Sequence, residues 1–469
     1  MGNKIFDALA QPVSRRAVFA AGAAGLAAGQ ATAAAAPKAQ ESAPRLPDLG
    51  FLRDTPLLNA DRLRFVMKNA GVDALAVTRQ ANVFYLSNHW PQLDRMGFDD
   101  SAIAIFSADP AAPLALVMHA FLYYYTHSPE SAFRDRLVYP YTQALDPAAI
   151  ASTDGSEPAA APARTMKVLD QSLVTPRDRH RASMFALTKP VSVDASWALK
   201  KAITALGLAG KRIGIDAPVL EGALKLRGFE GPIVAGENIL RQARLAKSPS
   251  EIRLMRIAAQ NNVDAALATA TRARALGTTR ALRADFYAEA ARRGNHGHFM
   301  VISGTSTEVL DEPLNDGTSV SIDCVSTCRF YHGDFGRTIF IGEPRLAVQR
   351  AARAVATAWQ DIRVQLRPGM KFSDIPRIGR ESLKKQGADI NVSFSPHAVG
   401  LFHTDHPQPS LVAARAADQL ALEENMILSV DCPVFLSGAG GTVHLEDLML
   451  IGRTGAEPIH TVPPPVVIV

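Results

Sequence analysis

The chain has 469 residues, of which 47% are hydrophobic and 20% charged, and a formal net charge of +5. That composition excludes a disordered chain and a collagen-like repeat, and 3 cysteines are too few for a disulfide framework. At about 150 residues per domain, it fits two or three domains with a substantial core. The basic residues are dispersed. Arg241, Arg244 and Lys247 lie between Glu237 and Glu251, and there is no basic run of five. No nucleic-acid partner is expected.

In chain order, Ser14-Arg15-Arg16 precedes an Ala/Gly-rich run and then a stretch of small residues. A basic start, a weakly apolar middle and a small-residue cleavage zone make a secretory signal. The paired arginines resemble a twin-arginine signal, which implies export to the periplasm as a folded protein. Residues 1–36 are read as this signal and 37–57 as a leader. No other apolar run reaches about 18 residues, so no stable membrane insertion is expected.

The spacing predicts an amphipathic helix over residues 58–69 and a buried strand over 74–78. Residues 82–87 are read as a strand or strand end. Strands at 102–106 and 114–118 pair across Asp109-Pro110. A loop follows at 154–162, then a helix at 196–206 and a strand at 212–216. Alternation of this kind makes the first half α/β. In the second half, Ser248-Pro249-Ser250-Glu251 opens a helix with a capping box. That helix extends toward Arg274. Further helices are predicted at 281–293, 348–366 and 372–386, with two strands between 319 and 342.

The chemistry concentrates in this second half. Asp323 ends the apolar run Ser319–Ile322, and Asp334 follows 11 residues later before Phe335-Gly336-Arg337-Thr338. On an antiparallel hairpin, both carboxylates can share one face. His397, Asp431 and Glu446 also lie beside apolar residues. A buried carboxylate without a partner is costly, so four of them call for cations. One imidazole with four carboxylates suits Mn, Fe, Co or Zn, as two divalent ions. A hydroxide shared by two metals could attack an amide carbon. Cys324 and Cys432 follow proposed ligands directly and are read as small buried hydrophobes.

These residues resemble the pita-bread metallohydrolases, the group of Xaa-Pro aminopeptidases, prolidases and creatinases. The resemblance spans roughly residues 58–455. Besides the acids and His397, it rests on Gly71–Leu75, Asn82–Ser87, and Ala246–Ile252 followed by Met255-Arg256. It implies a creatinase-like α/β N-terminal domain (58–237), an α+β pita-bread catalytic domain (238–455) and a tail (456–469). Asp323, Asp334, His397, Asp431 and Glu446 would hold the metals, with Asp334 and Glu446 bridging. The implied reaction is hydrolysis of peptide bonds next to proline, in a homodimer acting on a small peptide.

Four departures stand out. Asp431 replaces a Glu that also serves as base, so Asp431 would be ligand and possible base. No His lies between Glu308 and Pro313, where the family places a substrate-handling one. Thr404 stands where a second His is expected, flanked by His403 and His406. His444 replaces an Arg before the last Glu. His403, His406 and His444 would orient substrate or stabilise an oxyanion. Creatinase-like C–N hydrolysis, lyase cleavage of a small zwitterion and a non-catalytic degenerate site are the alternatives. Trp90, His296 and His298 are further candidates for substrate contact.

Overall fold

The structure is a computed structural model that describes residues 46–91, 101–120, 123, 137–142, 156–157, 167–179, 182, 191–408 and 419–469. The described residues all fall in one unit. The signal and most of the 154–162 loop lie outside the described residues.

The first half builds a mixed six-stranded sheet from β1 (Ala74–Val77), β2 (Ala102–Ser107), β3 (Ala115–His119), β4 (Leu137–Tyr141), β5 (Ile213–Ile215) and β6 (Ile233–Ala235), in the order β4-β3-β2-β1-β5-β6. The β2–β3 pair is the hairpin expected across Asp109-Pro110. Strand β1 is buried at all four positions, as its unbroken apolar run predicts. Helix α1 (Ala60–Asn69) starts at Asn59, whose side chain accepts the Arg62 N–H.

One expectation fails here. Gln80–Ser87 is a helix, α2, not a strand, and it is buried on every side. A short apolar run has no polar face to reveal its period. Its end is set by Asn88, which adopts φ 55° and caps the helix through the Phe84 carbonyl.

Helices α3 (Ala195–Ala205) and α4 (Pro218–Leu226) complete this half, and α5 (Glu237–Arg244) leads out of it. The second half opens with α6 (Pro249–Ala270). The Ser248 hydroxyl accepts the Glu251 N–H at 3.1 Å, and the Ser248 N–H donates to Glu251 Oε2 at 2.8 Å, so the capping box is formed. Helices α7 (Thr279–Arg292), α8 (Leu346–Arg363) and α9 (Asp374–Lys385) follow the sequence-based boundaries within a few residues.

Two sheets complete the second half. One runs β12 (Val434–Leu436), β13 (Gly441–Val443), β8 (Thr318–Cys328), β9 (Tyr331–Ile341), β16 (Val466–Ile468), with β7 (His296–Ile302) also paired to β8. The other runs β10 (Ser395–Ala398), β11 (Ile427–Asp431), β14 (Met449–Ile451), β15 (Ala456–Pro458). Cys324 and Cys432 are buried in apolar clusters, and all three thiols are free.

The halves share an apolar cluster in which Leu63, Met67 and Tyr85 join Leu254, Met255, Tyr331 and Leu448. A buried ionic knot lies beside it. Arg244 Nε donates to both Asp405 oxygens at 2.9 and 3.2 Å, and Arg244 Nη1 donates to Asn82 Oδ1 at 2.9 Å. Asp405 also accepts the Leu401 N–H at 3.1 Å. The knot thus anchors the 399–406 loop to α2 and α5. Burial pushes the Asp405 carboxyl up, but Arg244 and Lys247 outweigh it and hold it below the usual range.

Removing one partner of a buried ion pair strands the other charge. Asp405→Ala should therefore cost about 3–5 kcal/mol, read by urea denaturation. A loss below about 1 kcal/mol, the value for exposed pairs, would refute a structural role for the knot.

Candidate metal centre

The β8–β9 register decides where the acids point. Asp323 opposes Gly336 and Val325 opposes Asp334, so both carboxylates lie diagonally on one face of the hairpin. On the other sheet, His397 opposes Ser429 and Ser395 opposes Asp431. His397 and Asp431 therefore share a face too. Glu446 comes from the segment after β13, bridged to Gly336.

The two faces meet around two sets of donor atoms. Asp323, Asp431, His444 and Glu446 each offer an atom within 4.8 Å of the others, and so do Asp334, His397 and His403. His397 Nε2 stands 3.6 Å from Asp334 Oδ2, 3.4 Å from Asp431 Oδ2 and 3.6 Å from Glu446 Oε1. Shortening the side chain at 431 does not withdraw it from the cluster. His444 Nε2 lies 3.2 Å from Glu446 Oε2 and 3.9 Å from Asp431 Oδ1. His403 Nε2 lies 3.2 Å from Asp334 Oδ2.

His403 and His444 thus stand among the donor atoms. His406 lies elsewhere: its Nδ1 accepts the Ala398 N–H at 3.4 Å and its ring packs edge-on against Phe372.

Orphaned polar atoms test whether these residues fit a metal. Asp323 Oδ1, both Asp334 oxygens and His397 Nε2 are buried without a hydrogen-bond partner. Buried polar groups are nearly always satisfied, and these four belong to the two donor sets. Divalent ions fit this donor set of carboxylate oxygens and imidazole nitrogens.

The electrostatics agree. Burial, then Glu446 and Asp334, push the Asp323 carboxyl well above its ordinary range. Burial and then Glu446 push Asp334 up to about 6. Burial opposes charge on His444, yet the hydrogen bond and charge of Glu446, with Asp323 and Asp431, raise it to about 9. Like charges crowded in low dielectric resist ionisation unless cations join them.

Neighbouring residues hold this geometry. Arg337 Nη1 donates to the Glu446 carbonyl at 2.8 Å, and Nη2 to Asp447 Oδ1 at 2.6 Å. Trp359 Nε1 donates to Asp447 Oδ2 at 3.1 Å. The Ser429 hydroxyl donates to Glu446 Oε1. Sequence reasoning noted the Asp-Phe-Gly-Arg-Thr stretch but missed this role for Arg337 and Asp447. The signal was a charged residue inside each apolar segment.

Gly336 is a packing necessity. A Cβ there would meet His444 Cδ2 at 2.2 Å and Glu446 Cβ at 2.9 Å. Gly336→Ala should displace both donors and weaken metal affinity by about 10–100-fold, the range for disturbed supporting contacts. Competition with a chromogenic chelator measures this, and an unchanged affinity would refute the packing argument.

Comparisons with known proteins agree with this picture. Residues 253–453 match the family model described as metallopeptidase family M24. "Probable dipeptidase PepE" of Mycobacterium tuberculosis is 27% identical over 248 residues, which cover 51% of this chain. The chain spans 64% of the length of that relative. The dipeptidase structure from Pyrococcus horikoshii matches with TM-score 0.62 and 16% identity, covering 88% of this chain and 100% of its own. The Xaa-Pro dipeptidase of Bacillus anthracis matches with TM-score 0.61 and 16% identity, covering 87% and 99%. The X-Pro aminopeptidase of Thermotoga maritima matches with TM-score 0.58 and 16% identity, covering 88% and 99%. The fold is therefore a two-domain one, α/β followed by the α+β pita-bread architecture of these peptidases, and the segment carrying all five acid and histidine ligands predicted from sequence is similar to metallopeptidase family M24.

Proposed function

We propose that the chain is a metal-dependent peptidase cleaving next to proline. The observation that carries this reading is the pair of adjoining donor sets with orphaned carboxylate oxygens. Asp323, Asp431, His444 and Glu446 would hold one divalent ion and Asp334, His397 and His403 the other. When bound, such ions polarise a carbonyl and make water acidic enough to serve as a nucleophile at neutral pH. The similarity to dipeptidases and Xaa-Pro peptidases supports the substrate class.

The protein's own groups divide the remaining work. Asp431 is more exposed than Asp334 and Glu446, with 29% side-chain exposure against 0% for each of them. It is better placed than either of them to take a proton from water entering the site. His397 Nδ1 faces the His403 carbonyl at 3.2 Å, which leaves Nε2 directed at the acids. We read residues 1–36 as a twin-arginine export signal, which supports a periplasmic location, and take a homodimer as the working assembly.

The test is turnover of Ala-Pro and longer Xaa-Pro peptides by protein reconstituted with Mn, Co, Fe or Zn. Turnover should vanish on chelation and return with metal. Asp334→Ala should lower kcat/KM by more than about 100-fold, beyond the loss seen for supporting contacts. Asp431 and His444 differ from the resembled family, so creatine-like zwitterions belong in the panel. Turnover of zwitterions without peptide turnover would overturn the peptidase reading.

A further inference from the structure

A cavity of about 1250 Å³ adjoins the metal centre at His403. It exceeds the roughly 300–1,000 Å³ of pockets for small ligands. Its lining includes His298, His332, Arg79, Trp90 and Arg329, and no Asp or Glu among the described lining residues.

Arg329 is placed there by an unfavourable turn. The β8–β9 hairpin closes between Cys328 and Tyr331, leaving Arg329 and Phe330 as its two-residue loop. Both have positive φ, 50° and 68°. Such loops favour Asn-Gly, and a long or aromatic side chain is strained in them. Packing holds the strained loop in place. The Phe330 ring lies 4.9 Å from Trp90 and 5.8 Å from Phe84, and the Arg329 guanidinium sits 4.4 Å over Trp90. Strain that persists at a cavity wall is a mark of function.

The guanidinium is half-buried. No carboxylate among the described residues forms an ion pair with it.

 The guanidinium is held against the Trp90 ring face, and burial lowers its pKa. A planar, bidentate donor facing a cavity with no acid among its described lining residues is suited to a carboxylate.

We propose that Arg329 anchors a carboxylate of the substrate, at the end of the cavity remote from the metal centre. This rests on the peptidase reading for the identity of the substrate. Arg329 is five residues from Asp334, about 16 Å of strand at roughly 3.3 Å per residue. An extended dipeptide spans only about 7 Å. The subsite therefore selects peptides of about four or five residues with a free C-terminus, not dipeptides.

Initial rates with Ala-Pro-Ala-Ala-Ala and its C-terminal amide test this on the metal-loaded protein, and calorimetric titration of the same two peptides reads binding without turnover. The free acid should bind about tenfold tighter or better, the worth of a charged hydrogen bond. In Arg329→Asn that preference should fall below about twofold, with kcat little changed and the melting temperature not lowered, because Asn tolerates positive φ. Arg329→Lys should keep part of the preference. Equal binding of acid and amide, a preference that survives in Arg329→Asn, or binding of neither peptide would each overturn the proposal. A preference for the acid without any cleavage would leave the anchor standing and sink the peptidase reading alone.

Discussion

The constraint on which the rest depends is the crowding of four carboxylates, Asp323, Asp334, Asp431 and Glu446, of which the last three lie within 3.6 Å of the buried His397 imidazole. Two unit charges 4 Å apart repel by about 4 kcal/mol even at an effective dielectric of 20. The protein's own cations do not cancel this. If His397, His403 and His444 were all protonated, the sum would be −4 + 3 = −1. Protonation also uses the lone pairs that a metal needs. Only multivalent cations relieve the repulsion while leaving the carboxylates ionised, so the site and its metals form one electrostatic unit.

The surrounding fold resists that repulsion. Three of the acids sit on or beside paired strands, where register fixes their side-chain direction. Glu446 lies between strands and is held through its main chain, by Arg337 and the bridge to Gly336. Arg337 is itself fully buried against Asp447. A buried ion pair is a weak source of net stability, but it fixes geometry, because any other arrangement strands a charge. The Arg244–Asp405 pair does the same for the loop between His397 and His406.

Legibility in the sequence followed the same physics. The hairpin carrying Asp323 and Asp334 was readable because each acid ends or interrupts an apolar strand, and an even cross-strand offset puts both on one face. The capping box at Ser248 was readable because its signal is local. Helix α2 was not, since burial on every side erased the periodicity that separates helix from strand. His403 and His406 could not be told apart by spacing alone. The loop that carries them turns about Asp405, whose partner Arg244 is 161 residues away. Nothing local indicates which imidazole such a loop will turn inward.

The exchange of residues at 431 and 444 is best understood as a linked pair. Relative to the resembled family, position 431 loses a methylene and position 444 loses a guanidinium. Asp431 Oδ1 and Glu446 Oε2 both face His444 Nε2, at 3.9 and 3.2 Å. A guanidinium offers five donors and cannot be deprotonated, so it neutralises a neighbouring carboxylate permanently. An imidazole can either donate a proton or offer a lone pair at Nε2, never both. With protons bound, His444 supports Glu446; without them, it adds a nitrogen donor to a set whose carboxylate at 431 is shorter. The substitution therefore makes the charge of the site depend on what occupies it, and gives nitrogen-preferring ions an advantage that an arginine at the same position would deny them.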